Sequence, residues 1–359
     1  LWALTDSNHL HYIRYASADG FPLLRAREIN QEMRGGPNQM QIQDTIQLYR
    51  ESRRSEVRES TLQSHVYRIR RWAEYCDTHG ISDTDEIQKI HLEEFKQYRR
   101  DHDKVAKATL KGQMDTLRVY IKTLERVGIL EEGLHNSVPS ITLKRTDEVS
   151  KRIVPEDEAR EILEVLDRYH YATQKHVYFL LSWRTSARIS SLRALDIEDF
   201  NADEQYLYYR ERDGTKLKNG ILGERPVALS EETTEIIEDY LSHHRYEVRD
   251  QHGREPFLTT KSGRVSKNTL RRWCYTLTCP SFRGDNCDCD ESAKSGKCPD
   301  SVSPHGIRRG SITHFLRQGA PEQVVSDRAN VSKDVLSKHY DKRNPTEKME
   351  QRRGYLDNI

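Results

Sequence analysis

Apolar residues fall into a helical rhythm after Ser60. Leu62, Val66, Ile69, Trp72 and Cys76 recur at three- and four-residue intervals, and Gly80 stands as a stop. A second stripe, Leu110, Met114, Leu117, Ile121, Leu124 and Val127, ends at Gly128, and Ile87, Ile90 and Phe95 support a shorter helix between them. No β-alternating run interrupts these stripes, so 46–132 reads as a small all-α unit with the apolar residues as its core. Residues 1–45 mix Gly, Pro and polar residues without a period and read as a loose extension. The stretch 133–150, with Gly133, Pro139 and several Ser and Thr, suits a linker.

A second unit follows over 151–359. Helical patterns cover about 155–169, 174–200, 231–243, 266–277, 305–318 and 332–340. Gln205–Tyr209 and Pro226–Leu229 flank a segment bearing Gly and Lys and read as a hairpin or short sheet. The chain is thus expected to be mainly α: a helical unit, then a larger, mostly helical α+β unit with a small sheet.

Composition adds limits. At 359 residues two domains are expected, and 35% apolar against 32% charged residues leaves a large polar surface. Mean hydropathy is −0.89. No stretch approaches the ~18 consecutive apolar residues of a membrane span, and no signal peptide opens the sequence, so a cytoplasmic protein is expected. The 58 basic and 57 acidic residues leave a net charge of +1, which by itself argues against a polyanion binder.

Local charge changes that picture. From Arg50 to Arg71 there are seven basic residues against three acidic, and from Lys261 to Arg272 five basic and none acidic. Each run alone reads most simply as a solvated helix face. Two runs in two domains also suit opposite walls of a clamp on nucleic acid. The candidate phosphate contacts are Arg53, Arg54, Arg68 and Arg71 in the first run, and Arg264, Lys267, Arg271 and Arg272 in the second.

Three short motifs carry chemistry. In Ser303-Pro304-His305-Gly306-Ile307-Arg308, Ser303 suits an N-cap and Pro304 a first helical turn. His305 and Arg308, three apart, then share a helix face suited to a phosphate oxygen. In Thr185-Ser186-Ala187-Arg188-Ile189-Ser190-Ser191, small residues allow close backbone packing and aim Arg188 into a cavity. Tyr340, in Lys338-His339-Tyr340-Asp341, lies in a polar, basic stretch where burial is not its evident job. Each motif alone is also compatible with an ordinary helix start, a surface arginine and a surface aromatic.

Together and in this order, they resemble the tyrosine recombinase (phage integrase) family over about 46–350. The resemblance implies a helical core-binding (SAM-like) domain at 46–132 and a catalytic domain at 151–359. It implies a site-specific DNA recombinase that cleaves and rejoins strands through a 3′-phosphotyrosyl link, with Arg188, a hairpin lysine, His305, Arg308 and Tyr340 as catalytic residues. Of the lysines, Thr215-Lys216-Leu217 mirrors the family's T-K-T form, while Lys218 lies nearer the hairpin tip and is favoured. The family's first motif has a glycine where Ser186 stands and a glutamate where Ser191 stands. Its second His or Trp, nine residues before the tyrosine, falls on Val331, or on Asn330 with a one-residue shift; Asn330 remains a candidate donor. No cofactor is implied for the reaction, the implied partner is double-stranded DNA, and a tetramer on paired sites is expected. The altered motifs also suit an alternative, a catalytically impaired DNA-binding protein of the same fold. Type IB topoisomerases share the breakage chemistry, but the compact N-terminal helical domain fits recombinases better.

Of six cysteines, Cys76 and Cys274 fit apolar helix faces. Cys279, Cys287, Cys289 and Cys298 crowd a polar insert at about 279–298 that the family pattern lacks. Without a secretion signal, such a cluster suits a structural zinc better than disulfides, although the spacing lacks paired CxxC.

Overall fold

The computed structural model describes residues 40–144, 152–287, 289, 298–341 and 343–353. The extension at 1–39, the linker residues 145–150 and residues 288 and 290–297 of the cysteine-rich insert lie outside the described residues. The chain divides into two compact units, Leu1–Val149 and Ser150–Ile359.

Among the described residues, the first unit has four α-helices, α1 (Ile42–Arg53), α2 (Glu59–Thr78), α3 (Lys89–Asp101) and α4 (Lys107–Arg126). Trp72 is fully buried at its centre, stacked on Tyr75 at 5.7 Å and edge-on to Phe95 at 5.2 Å. Helical structure starts earlier than Ser60. Ile42, Ile46 and Tyr49 form one more apolar stripe, and Tyr49 meets Tyr120 edge-on at 5.6 Å. The unit also runs past residue 132, because Leu134 and Val138 pack into the same core and Arg118 donates to the carbonyls of Val138 (2.9 Å) and Pro139 (3.2 Å). Part of the expected linker is therefore packed structure.

The second unit opens with α5 (Glu156–Tyr169) and α6 (Gln174–Arg184). Residues His176 to Trp183 are all buried, so α6 is a central helix with no solvent face. The helix expected over 174–200 breaks. Ser186 takes φ +52°, a left-handed backbone that no α-helix contains, and the chain restarts as α7 (Ile189–Ala194). A three-stranded antiparallel sheet follows, β1 (Phe200–Asn201), β2 (Tyr206–Tyr209) and β3 (Arg225–Ala228), in that spatial order with Leu207 opposite Val227. Leu207, Tyr209 and Val227 face the core, as alternation requires.

Then come α8 (Glu231–Asp239), which passes into a π-helical turn at Tyr240–His244, and a small hairpin, β4 (Thr259–Thr260) and β5 (Gly263–Arg264). The remaining helices are α9 (Lys267–Leu277), α10 (Pro304–Arg317), α11 (Glu322–Ala329), α12 (Lys333–Val335) and α13 (Pro345–Arg353). Neither α11 nor α13 was evident from periodicity. The helix expected over 332–340 is α12 continuing into a π-helical turn, Leu336–Tyr340.

Two glycines seat α10. A Cβ on Gly310 would lie 1.9 Å from the Val154 carbonyl oxygen, and one on Gly306 1.9 Å from Val302 Cγ1. The helix can therefore lie directly on neighbouring backbone, which fixes the side chains at its N-terminus. No helix among the described residues is long and apolar enough to cross a membrane.

Candidate active site

Arg188 is the N-cap residue of α7, placed by the turn that breaks α6. Ser186 stands where the resembled motif has glycine and adopts the left-handed conformation that glycine would take without strain. Its hydroxyl is tied to Ser311 of α10 at 2.6 Å, and its carbonyl accepts from Arg308 Nη1. Ser186 thus connects the arginine turn to α10. Ser191, in the glutamate position, is buried in α7.

Arg308 projects from α10 and is 1% exposed, yet it is a cation. Its Nη2 donates to the Ala329 carbonyl at 2.7 Å, and its guanidinium carbon lies 5.1 Å from the Tyr340 ring centroid. Arg188 Nη1 donates to the Asn330 carbonyl at 2.9 Å, and Arg225 Nε to the Arg328 carbonyl at 2.8 Å. Three arginines therefore grip three successive carbonyls at the C-terminal end of α11, the negative end of its dipole. Sequence reasoning missed Arg225 and this use of α11. The local signal was Asn330, a residue tolerant of the left-handed φ of +48° found there, which turns the helix end toward Arg188.

On the Asn330 side chain, Oδ1 accepts from Asn219 Nδ2 at 3.2 Å, while the donor role expected of this residue falls to its Nδ2. Val331 is buried in a small apolar cluster with Ile312, Leu316 and Leu336. Tyr340 belongs to that cluster and is 7% exposed, which corrects its reading as a residue without a reason for burial. Its backbone carbonyl accepts from Thr313 at 2.9 Å, so the π-helical turn is pinned to α10.

The electrostatics favour an anion. Burial pushes the Tyr340 phenol upward, but Arg308, Arg188 and Lys218 outweigh it and leave the pKa below its ordinary value. Burial, then repulsion from Arg188, lowers Arg308 to about 10 despite the opposing pull of Tyr340. Desolvation by surrounding atoms and the charges of Arg308, Arg309, Arg188 and Lys218 bring His305 down to about 4, although its side chain still reaches solvent. It is a neutral imidazole at pH 7. Neither Arg188 nor Arg308 has a carboxylate partner among the described residues, and the Nε of each is buried with no acceptor.

The two hairpin lysines separate. Lys216 lies 2.6 Å from Asp213, whereas Lys218 is the one whose charge acts on both His305 and Tyr340. Between them in sequence, Leu217 is buried.

Most candidate DNA contacts lie at the surface. Arg54, Lys267, Arg271 and Arg272 are exposed; Arg53 pairs with Glu56, and Arg71 with Glu74. Arg68 leans on α4, donating to Thr116 at 3.0 Å, beside a polar groove of about 430 Å³ lined by Ser60, Gln63, Ser64, Tyr67, Thr109 and Gln113. Arg264 is not a surface contact. Its side chain is 5% exposed, pairs with Asp196 and with Asp250 (2.8 Å), and donates to the Arg193 and Leu195 carbonyls. The acids that draw it inward lie far away in sequence, so the basic run gave no sign of them.

A model described as the phage integrase family matches residues 152–347, more than half of the chain. The chain belongs to this family and is a tyrosine-type site-specific recombinase. Among its relatives, a probable integrase/recombinase protein of Methanocaldococcus jannaschii is 23% identical over 291 residues, covering 80% of this chain and 82% of the relative. Tyrosine recombinase XerA of Pyrococcus furiosus is 22% identical over 279 residues, covering 76% and 87%. Of solved structures, a lambda integrase dimer bound to a COC′ core site superposes with TM-score 0.60 at 14% identity, covering 85% of this chain and 100% of that one. The Tn1549 transposon integrase in complex with transposon right end DNA gives 0.58 at 13%, covering 89% and 99%. At such identities the likeness is one of fold.

Proposed function

We propose that this recombinase cleaves double-stranded DNA by attack of the Tyr340 oxygen on a phosphodiester, forming a 3′-phosphotyrosyl bond and releasing a 5′-hydroxyl. The observation that carries this reading is the buried Arg308 and the half-buried Arg188, without carboxylate partners among the described residues, beside a tyrosine of lowered pKa. Arg188 and Arg308 hold the non-bridging oxygens, where charge builds in the transition state. His305, kept neutral, can donate to a phosphate oxygen or accept a proton. Lys218 protonates the departing 5′-oxygen, since an ammonium on a flexible stem is a mobile donor. The phosphotyrosyl bond retains the diester's energy, so a second 5′-hydroxyl reverses the step without ATP, metal or other cofactor.

DNA is the partner that this chemistry requires, and a DNA complex and a Holliday-junction tetramer of lambda integrase support assembly of several copies on paired sites. Surface arginines of α2 and the basic start of α9 supply phosphate contacts without sequence information. The test is a nicked DNA substrate whose cleaved strand diffuses away and traps the adduct. Wild-type protein is expected to accumulate a covalent complex, and Tyr340→Phe none, with DNA affinity within about two-fold of wild type. Affinity without any adduct from wild-type protein would instead favour the impaired DNA-binding reading.

A further inference from the structure

Four thiols converge on the connection between α9 and α10. The Sγ atoms of Cys279, Cys287, Cys289 and Cys298 all lie within 4.8 Å of one another. Cys279 is 3.3 Å from Cys289 and 3.7 Å from Cys287, and Cys287 is 3.3 Å from Cys298. None of the chain's six cysteines is joined in a disulfide. Four sulfurs bound at about 2.3 Å to one tetrahedral ion stand about 3.8 Å apart, so these thiols are nearly gathered for a metal. An all-sulfur set of four is a soft, closed ligand shell, suited to zinc rather than magnesium or calcium, with no position left open for substrate.

The neighbourhood shows what such an ion would hold. Cys279 follows the end of α9, and Cys298 begins the approach to α10. That approach is stitched to α9: Val302 N donates to Thr278 Oγ1 at 2.9 Å, Cys274 Sγ to the Val302 carbonyl at 3.1 Å, and Ser301 Oγ to the Tyr275 carbonyl at 2.8 Å. Val302 in turn meets Gly306, one residue after His305.

We infer that Cys279, Cys287, Cys289 and Cys298 bind one structural zinc ion as thiolates, closing the insert and fixing the start of α10. Four S–H protons pass to solvent as four Zn–S bonds form, and no electrons move. Pairing the same thiols as disulfides would need an oxidant to take two electrons per bond.

The test uses the full chain purified without chelator, and none of its readouts depends on DNA cleavage. Metal analysis is expected to find about one zinc per chain, falling below about a tenth in Cys287→Ser/Cys289→Ser. Cobalt chloride added to metal-stripped wild type is expected to give the thiolate charge-transfer and tetrahedral d–d bands, saturating at one equivalent and bleached by zinc chloride. Stripping is expected to speed amide hydrogen exchange across residues 298–305 by at least about ten-fold. Wild-type protein with under about a tenth of a zinc and no cobalt–thiolate band would overturn the site, as would disulfides among these four in a non-reducing peptide map. Unchanged exchange at 298–305 in a stripped but zinc-competent protein would overturn its role in fixing α10.

Discussion

Arg308→Met separates a catalytic arginine from a structural one. The arginine is 1% exposed and its pKa is held near 10 against an ordinary 12.5, so the charged form is disfavoured in the fold. At 1.36 kcal/mol per unit, keeping it ionised costs roughly 3 kcal/mol at neutral pH. Methionine removes that cost but leaves the Ser186 and Ala329 carbonyls without their donor, at about 1–3 kcal/mol each. The two effects nearly cancel, and urea unfolding is expected to move by less than about 2 kcal/mol in either direction. Cleavage of a nicked substrate behaves differently. Loss of one preorganised donor at the non-bridging oxygens raises the barrier by about 2.7–4 kcal/mol, a fall of roughly 10²–10³ in rate. A variant that is stable and still cleaves within about ten-fold of wild type would refute the phosphate-clamp role; one that loses more than about 4 kcal/mol of stability would make the arginine a structural residue.

Other expectations follow from the same contacts. Arg264→Ala removes one of the cations on Asp196 and Asp250, which keep Arg254, and leaves the Arg193 and Leu195 carbonyls without their donor; it is expected to cost about 1–3 kcal/mol in urea unfolding, whereas Arg271→Ala changes stability by less than about 0.5 kcal/mol. Gly310→Ala drives a methyl into the Val154 carbonyl and is expected to destabilise by about 1–3 kcal/mol or more, read from the same transition. His176 and His305 are both held near 4, the first by burial, the second by desolvation and neighbouring cations. Between about pH 6.5 and pH 4 the unfolded chain binds their protons and the folded chain does not. Stability therefore falls as pH drops through that window, by up to about 1.4 kcal/mol per unit for His176 and less for the more exposed His305. Urea midpoints that stay level from pH 7 to pH 4.5 would contradict this.

Local features were legible in the sequence where their causes are local. The stripes of α2 and α4, the sheet strands, the Ser303-Pro304 start of α10 and the order of the arginine, histidine and tyrosine motifs all rest on residues close together along the chain. Features set by distant partners were not. Arg264 turns inward because Asp196 and Asp250 meet it there, and Tyr340 is buried because α10 and α11 supply the apolar walls. The break at Ser186 was hidden because a serine occupies a backbone conformation usually signalled by glycine, held by its bond to Ser311. Three arginines on the carbonyls of α11 were invisible for the same reason: backbone acceptors carry no sequence signature. The helix α1 escaped because its stripe is only a few residues long and adjoins a stretch without a period.

The most direct measurement is peptide mapping of the covalent complex formed on nicked DNA, after nuclease digestion and mass spectrometry. The expected result is a single modified peptide with a nucleotide 3′-phosphate on Tyr340. A 5′-linked nucleotide, or an adduct on any other residue, would contradict the mechanism.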